Sequence, residues 1–185
     1  GMEHMLLNPQ FSDVTLVLPC GSRLPAHCNV VARSEYFRKM LSLKARSSQS
    51  TGELMVDAQH AASIKVVLRW LYTQTLAADA TATLDTTLPL LASANFFLLR
   101  GLAAQVSTRL KRLLTPFNAC RALIAVSAMK DDVNISAFLS YIYQHWREVS
   151  VASAGFHLLS CAQHHHLLSR LLSNVAPPLP GQMRA

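Results

Sequence analysis

The sequence predicts an α+β domain followed by an all-α region, and three observations predict it. Two short runs with β-branched residues flank a turn near the start of the chain. Helical periodicity takes over from Ser34 onward and is interrupted by one further alternating run, Glu53 to Asp57. After Thr115-Pro116 every periodic segment is helical.

In order along the chain, Val14-Thr15-Leu16-Val17-Leu18 alternates and reads as a strand. Pro19-Cys20-Gly21-Ser22 is a turn. Arg23-Leu24-Pro25-Ala26 returns as a second strand, with Pro25 marking an edge or a strand end. A short helix over 27–32 carries Val30 and Val31. Ser34 is a capping residue for a second helix through Tyr36, Phe37, Met40 and Leu41. Arg46 to Gly52 is Ser-rich and polar, hence a loop, and Glu53 to Asp57 is a third strand.

From His60 to Tyr72 the spacing of Ile64, Val67, Leu68, Leu71 and Tyr72 predicts one amphipathic helix. A polar segment, Gln74 to Asp85, precedes a helix with Leu88, Leu91, Ala92, Phe96 and Leu99. Gly101 reads as punctuation before a helix with Leu102, Val106, Leu110, Leu113 and Leu114. Thr115 suits an N-cap and Pro116 the first helical position of the all-α region. Its helices carry Cys120, Leu123, Ile124 and Ser127, then a stripe from Ile135 to Val149 that includes Phe138, Ile142 and Trp146. Short helices over 156–159 and 164–172 end the fold, and Pro177 to Gly181 reads as a linker or disordered end. The expected division is 1–10 as tag scar (Gly1 ahead of Met2) and N-terminal segment, 11–114, 115–175, and a Pro-rich tail over 176–185.

The chain has 185 residues, enough for one domain or a domain plus a helical appendage, and too few for a large barrel enzyme. Hydrophobic residues make up 51% and charged residues 15%, which excludes intrinsic disorder. A small domain has limited interior, so the apolar surplus points to surfaces buried against partners. The net charge is +7. The densest basic groups, Arg38, Lys39, Lys44 and Arg46, then Arg109, Lys111 and Arg112, lack the interleaved aromatics of a base-stacking surface. They read as solvated faces, and no nucleic-acid partner is expected. The longest apolar stretch, Leu88 to Leu99, contains Asn95 and is too short to span a bilayer, so no membrane association is expected. Four widely spaced cysteines without a Cys-x-x-Cys pair read as reduced thiols of an intracellular protein, cytoplasmic or nuclear.

Residues Phe11-Ser12-Asp13-Val14-Thr15-Leu16, Pro25-Ala26-His27, Ala32-Arg33-Ser34-Glu35-Tyr36-Phe37 and Leu68-Arg69-Trp70-Leu71-Tyr72-Thr73 follow one another in the order and spacing of a BTB/POZ domain. The chain is identified as resembling that family. The later helices are similar to a short BACK domain. Within the superfamily the likeness is to the speckle-type POZ group, without its MATH domain, on Leu90-Leu91-Ala92-Ser93-Ala94-Asn95-Phe96 and His164-His165-His166-Leu167. The resemblance covers about residues 11 to 173.

This resemblance implies a homodimer that serves as a non-catalytic adaptor of a cullin-3 RING ubiquitin ligase, bridging the scaffold to an unknown substrate protein. It implies that Met40, Leu41, Leu43, Tyr72, Phe117 and Asn118 receive a cullin helix, a helix-in-groove arrangement. It assigns Phe11, Asp13, His27, Val30 and Ser34 to the dimer interface. The loop Leu43-Lys44-Ala45-Arg46-Ser47-Ser48-Gln49 is basic where cullin-binding members often carry a hydrophobic-x-Glu motif, so the charge facing the partner is reversed. Asp13 matches the acid of the charged pocket found in transcription-factor members, and Cys28 replaces its base. The alternative function is a self-association module of a scaffold or transcriptional regulator that does not bind cullin.

Competing chemical readings are weaker. Cys161, His164, His165 and His166 carry zinc-ligand chemistry but have no second pair, and adjacent positions on a helix diverge. Ser34 and His27 have no Gly-x-Ser-x-Gly elbow or orienting acid around them. Asp131 and Asp132 read as acids at a helix N-terminus. No active site, cofactor or metal is expected.

Overall fold

The computed structural model describes residues 2–46, 52–152, 156–165, 167 and 169. The predicted loop over Ser47 to Gln49, the end of the last predicted helix and the Pro-rich tail lie outside the described residues. Two compact units, 1–112 and 113–185, each have their own core.

In the first unit, β1 (Val14–Val17) and β2 (Arg23–Ala26) form an antiparallel hairpin with Leu16 opposite Leu24. The Leu18 N–H donates to the Ser22 carbonyl at 2.9 Å and closes a three-residue loop. Gly21 takes φ +82 there, the left-handed position such a loop demands. Alternation buries Val14 and Leu16 together with Leu24 and Ala26 on one face. β3 (Glu53–Met55) pairs with β1 in parallel, so the order is β2-β1-β3 and Pro25 sits on an edge strand. The third strand is shorter than the alternation to Asp57 suggests, because Asp57 already leads into a helix.

The helices of this unit are α1 (Cys28–Val31), α2 (Glu35–Arg46), α3 (Ala58–Ala61), α4 (Ile64–Thr73), α5 (Leu84–Phe96) and α6 (Arg100–Arg112). The single helix predicted over His60 to Tyr72 is two elements. A turn at 62–63 separates them, and His60 on α3 reaches Ser93 of α5. The polar stretch after α4 contains a 3-10 turn, Asp79–Thr81, that buries Thr81. Thr83 caps α5 in a reciprocal capping box with Thr86. Gly101 does not separate two helices as its sequence position suggests. It lies in the first turn of α6, where a Cβ would stand 3.0 Å from Trp70 Cζ2, so its bareness admits the indole.

The α5–α6 corner is a Schellman motif: Leu98 N–H donates to Asn95 at 3.1 Å and Leu99 N–H to Ala94 at 2.8 Å. Its left-handed position is held by Leu98, φ +56, where glycine is usual. Leu98→Gly is expected to raise stability by about 0.5–1 kcal/mol, read as a higher urea midpoint with unchanged slope.

In the second unit, α7 (Ala119–Ala128) and α8 (Asp132–Gln144) pack through Leu123, Val126, Phe138 and Ile142, all buried, and α9 (Trp146–Ala152) adds Val149. The predicted N-cap at Thr115 shifts to Asn118, whose Oδ1 accepts from Thr115 N–H at 2.8 Å. The chain over 116–118 is a turn that Thr115 closes through its carbonyl rather than its hydroxyl. Asp131 caps α8 by accepting from Asn134 N–H at 3.1 Å. The stripe from Ile135 to Val149 is divided at His145 between α8 and α9. A 3-10 turn spans Phe156–Leu158, and the following helix begins at 161 rather than 164. Ser160 and Gln163 form a capping box there, at 3.2 and 2.8 Å.

Candidate functional site

In the first unit a groove of about 610 Å³ opens between the start of β1, α1 and α2. Leu54 and Leu41 supply apolar lining, and Asp13, Cys28 and Lys44 supply polar lining. Asp13 is held by its Oδ1, which accepts the Cys28 N–H at 2.6 Å. Burial pushes the Cys28 thiol up to about 11, and the Asp13 charge and hydrogen bond push the same way. The thiol is therefore neutral at pH 7 and a weak nucleophile. The groove thus offers apolar surface between an acid and a base, which suits a side chain of another protein.

Beneath it, His27 and Tyr72 form a buried pair. The His27 N–H donates to the Tyr72 hydroxyl at 3.1 Å, and Nδ1 lies 2.7 Å from the same oxygen. Nε2 lies 3.1 Å from the Gln10 carbonyl, which can only accept, so Nε2 carries the proton. Nδ1 then accepts from the Tyr72 O–H, and every polar atom of the pair is satisfied. Burial raises the Tyr72 phenol above its ordinary value. Ser34 is equally committed: its hydroxyl donates to the Phe97 carbonyl at 2.7 Å and accepts from Phe37 N–H at 3.2 Å, capping α2.

Tyr72 is 3% exposed, and its hydroxyl is used inside the unit. His27, Val30 and Ser34 are buried in the core of the first unit. Phe11, 83% exposed, and the exposed Asp13 do face outward. On α2, Met40 and Leu41 are half-buried and Leu43 is 63% exposed, next to Arg38, Lys39 and Ser42 in a shallow depression of about 420 Å³. In the second unit Phe117 is 72% exposed, whereas Asn118 is tied to Leu113 and Thr115 by its side chain. Cys161 is exposed there, and His164 Nδ1 donates to the Ser160 carbonyl at 3.1 Å while its ring meets Phe156 edge-on. His166 lies outside the described residues. Among the described residues no group of three His, Cys, Asp or Glu side chains is placed to hold a metal ion, and no helix is long and apolar enough to cross a membrane.

Sequence reasoning missed His60. It is buried against Phe96 at 4.2 Å between ring centroids, and its Nδ1 lies 3.0 Å from Ser93 Oγ. Ser93 donates its own proton to the Pro89 carbonyl at 2.9 Å, so His60 Nδ1 is the donor and Nε2 the bare nitrogen. Nε2 has no hydrogen-bond partner among the described residues. Burial lowers the His60 pKa, and Asp57 opposes this in part. The unfolded chain then binds more protons than the folded one. Stability is complete above the unfolded value, about 6.5, and declines as pH falls toward the folded value. The expected result is a urea midpoint that drops between pH 7.5 and 5.5, with a smaller drop in His60→Phe.

A small mixed sheet wrapped by helices, with an outward-facing groove and an exposed helix face, is the build of a protein-interaction module. The chain belongs to the BTB/POZ domain family, whose family model matches residues 2–114. Members of this family are non-catalytic modules that mediate protein interactions and dimerisation. The chain is similar to BTB/POZ domain-containing protein 9 of Drosophila melanogaster, 33% identical over 126 residues, which are 67% of this chain and 17% of that protein. It is also similar to BTB and MATH domain-containing protein 41 of Caenorhabditis elegans, 25% identical over 152 residues, 80% of this chain and 36% of that protein. The chain thus spans about a sixth and about a third of the lengths of these relatives.

Proposed function

We propose that the chain is a homodimeric adaptor that joins a cullin-3 type scaffold to a substrate protein, with a BACK-like second unit and a speckle-type lineage. The observation that carries this reading is the outer face of α2, where Leu43 stands 63% exposed beside half-buried Met40 and Leu41 on a BTB fold. On this fold the reading takes Leu43, flanked by Met40 and Leu41, as the anchor for a partner helix. Phe117 is the corresponding exposed residue of the second unit. The adaptor's contribution to ubiquitin transfer is proximity and valency.

Calorimetric titration with a cullin-3 N-terminal domain tests this. Micromolar binding at one scaffold per subunit is expected, and Leu43→Asp should weaken it at least tenfold, about 1.4 kcal/mol, with the fold unchanged. No heat from a folded dimer would discard the adaptor reading. In a second reading the chain self-associates without cullin; Phe11, 83% exposed two residues before Asp13 of the groove, supports the self-association that both readings share. Light scattering of Phe11→Asp addresses it: a monomer is expected if that ring is part of the seam.

A further inference from the structure

We propose that the outer face of α2 docks an acidic partner: an amphipathic helix of another protein, with an apolar side chain on Leu43 and Asp or Glu one turn away against Arg38 and Lys39. The inference rests on the docking role given to Leu43 above and adds the charge of the partner and its arrangement. Arg38, Lys39, Ser42 and Leu43 line the depression of about 420 Å³ at this face. Ser42 is its small residue, and the Ser42 hydroxyl is turned back to donate to the Arg38 carbonyl at 2.9 Å.

The 12 residues of α2 hold one acid, Glu35, against the bases Arg38, Lys39, Lys44 and Arg46. Glu35 is already engaged, with its carboxylate 2.9 Å from Lys39 Nζ. The Lys39 hydrogen bond and charge, then the Arg38 and Arg100 charges, hold that carboxyl below its ordinary value. Three cations thus act on one carboxylate. The exposed Arg38 guanidinium makes no ion pair or hydrogen bond among the described residues. Left in water these cations contribute little. A carboxylate brought against them beside an apolar contact that excludes water contributes more.

Leu43 decides what kind of acidic partner fits. It stands 63% exposed, one helical turn beyond Lys39. A phosphate-rich ligand would pair with the bases and leave that side chain in water. A bilayer takes up a whole apolar helix face, and that of α2 is turned into its own core through Phe37, 1% exposed. A helix has the matching period: an apolar residue and carboxylates three or four positions from it share one face, as Leu43 and Lys39 do. Opposite charge one turn from the anchor sets the partner's orientation, and like charge there rejects a wrong one.

The test is amide NMR of the full 185-residue chain, read at the α2 signals. The probes are three helical peptides that share one leucine stripe and carry Glu, Gln or Lys one turn to either side of the central leucine. In about 50 mM salt the Glu peptide should bind about fivefold or more tightly than the Gln peptide, and the advantage should fade by about 300 mM. The Lys peptide should not bind. Arg38→Glu should remove the preference for Glu over Gln. Lys111→Glu, the same charge change at an exposed position on α6, should keep it. Equal affinities for the Glu and Gln peptides, equal effects of the two variants, or still α2 signals with every peptide would overturn the inference. So would phosphatidylserine vesicles that move the α2 signals more than the Glu peptide does. The cullin-3 domain separates this inference from the reading it rests on. Cullin binding indifferent to salt keeps the adaptor and overturns the acidic partner; a Glu-peptide preference without cullin binding keeps the acidic partner and discards the adaptor.

Discussion

Tyr72→Glu should destabilise the first unit by about 3–5 kcal/mol. The ring is buried, and its hydroxyl is both acceptor and donor for His27. A carboxylate there faces the Nδ1 lone pair, leaves the geometry of the pair unmatched and must be desolvated. An uncompensated buried charge costs about 3–5 kcal/mol, a large part of the roughly 5–15 kcal/mol that holds a domain together. Tyr72→Phe separates packing from hydrogen bonding. It keeps the ring but leaves the His27 N–H and Nδ1 without their partner, for about 1–3 kcal/mol. Far-ultraviolet circular dichroism and a urea titration distinguish the outcomes; a folded Tyr72→Glu with a wild-type midpoint would mean the pair is not formed in solution. A loss of partner binding in Tyr72→Glu therefore reports on folding, and surface variants such as Leu43→Asp are the clean probes of docking.

Phe97→Ala should be the second large loss, about 3–5 kcal/mol. Phe97 stacks on Phe37 at 4.9 Å and meets Tyr36, Phe96 and His60 at 5.2 to 5.4 Å. It joins α2, α3 and the end of α5 in one cluster. Its backbone carbonyl also receives the Ser34 hydroxyl, so collapse around the cavity would disturb the α2 cap. Phe97→Leu keeps most of the volume and should cost less than half as much. Similar midpoints for the two variants would mean that shape and ring geometry contribute as much as volume does.

The strands and the capping role of Ser34 were legible because each rests on local chemistry: alternation, and a hydroxyl before an apolar run. What was illegible depends on distant neighbours. The break between α3 and α4 occurs where His60 meets Ser93, a contact 33 positions away that no periodicity announces. Tyr72 belongs to an amphipathic stripe in either case, and only Gln10 and His27 determine that its hydroxyl turns inward. Gly101 looks like punctuation because glycine often ends helices, yet here it yields space to an indole 31 positions earlier. The Ser160–Gln163 box places the start of the last helix three residues before His164.

The mixed pairing of β1 has a consequence for how the chain acquires its structure. Its antiparallel edge closes over three residues and can form in microseconds. Its parallel edge waits for Glu53, 38 positions beyond Thr15. By loop-closure scaling the later pairing carries about 2 kcal/mol more entropic cost before any packing offsets it. During synthesis, therefore, the β1 edge of the hairpin stands open while α1 and α2 are still emerging. At about 5–20 residues per second that interval lasts seconds. An unpaired strand edge exposed for so long is a template for pairing with a neighbouring nascent chain. The β1 edge of this small sheet is thus covered only when Leu54 reaches Leu16.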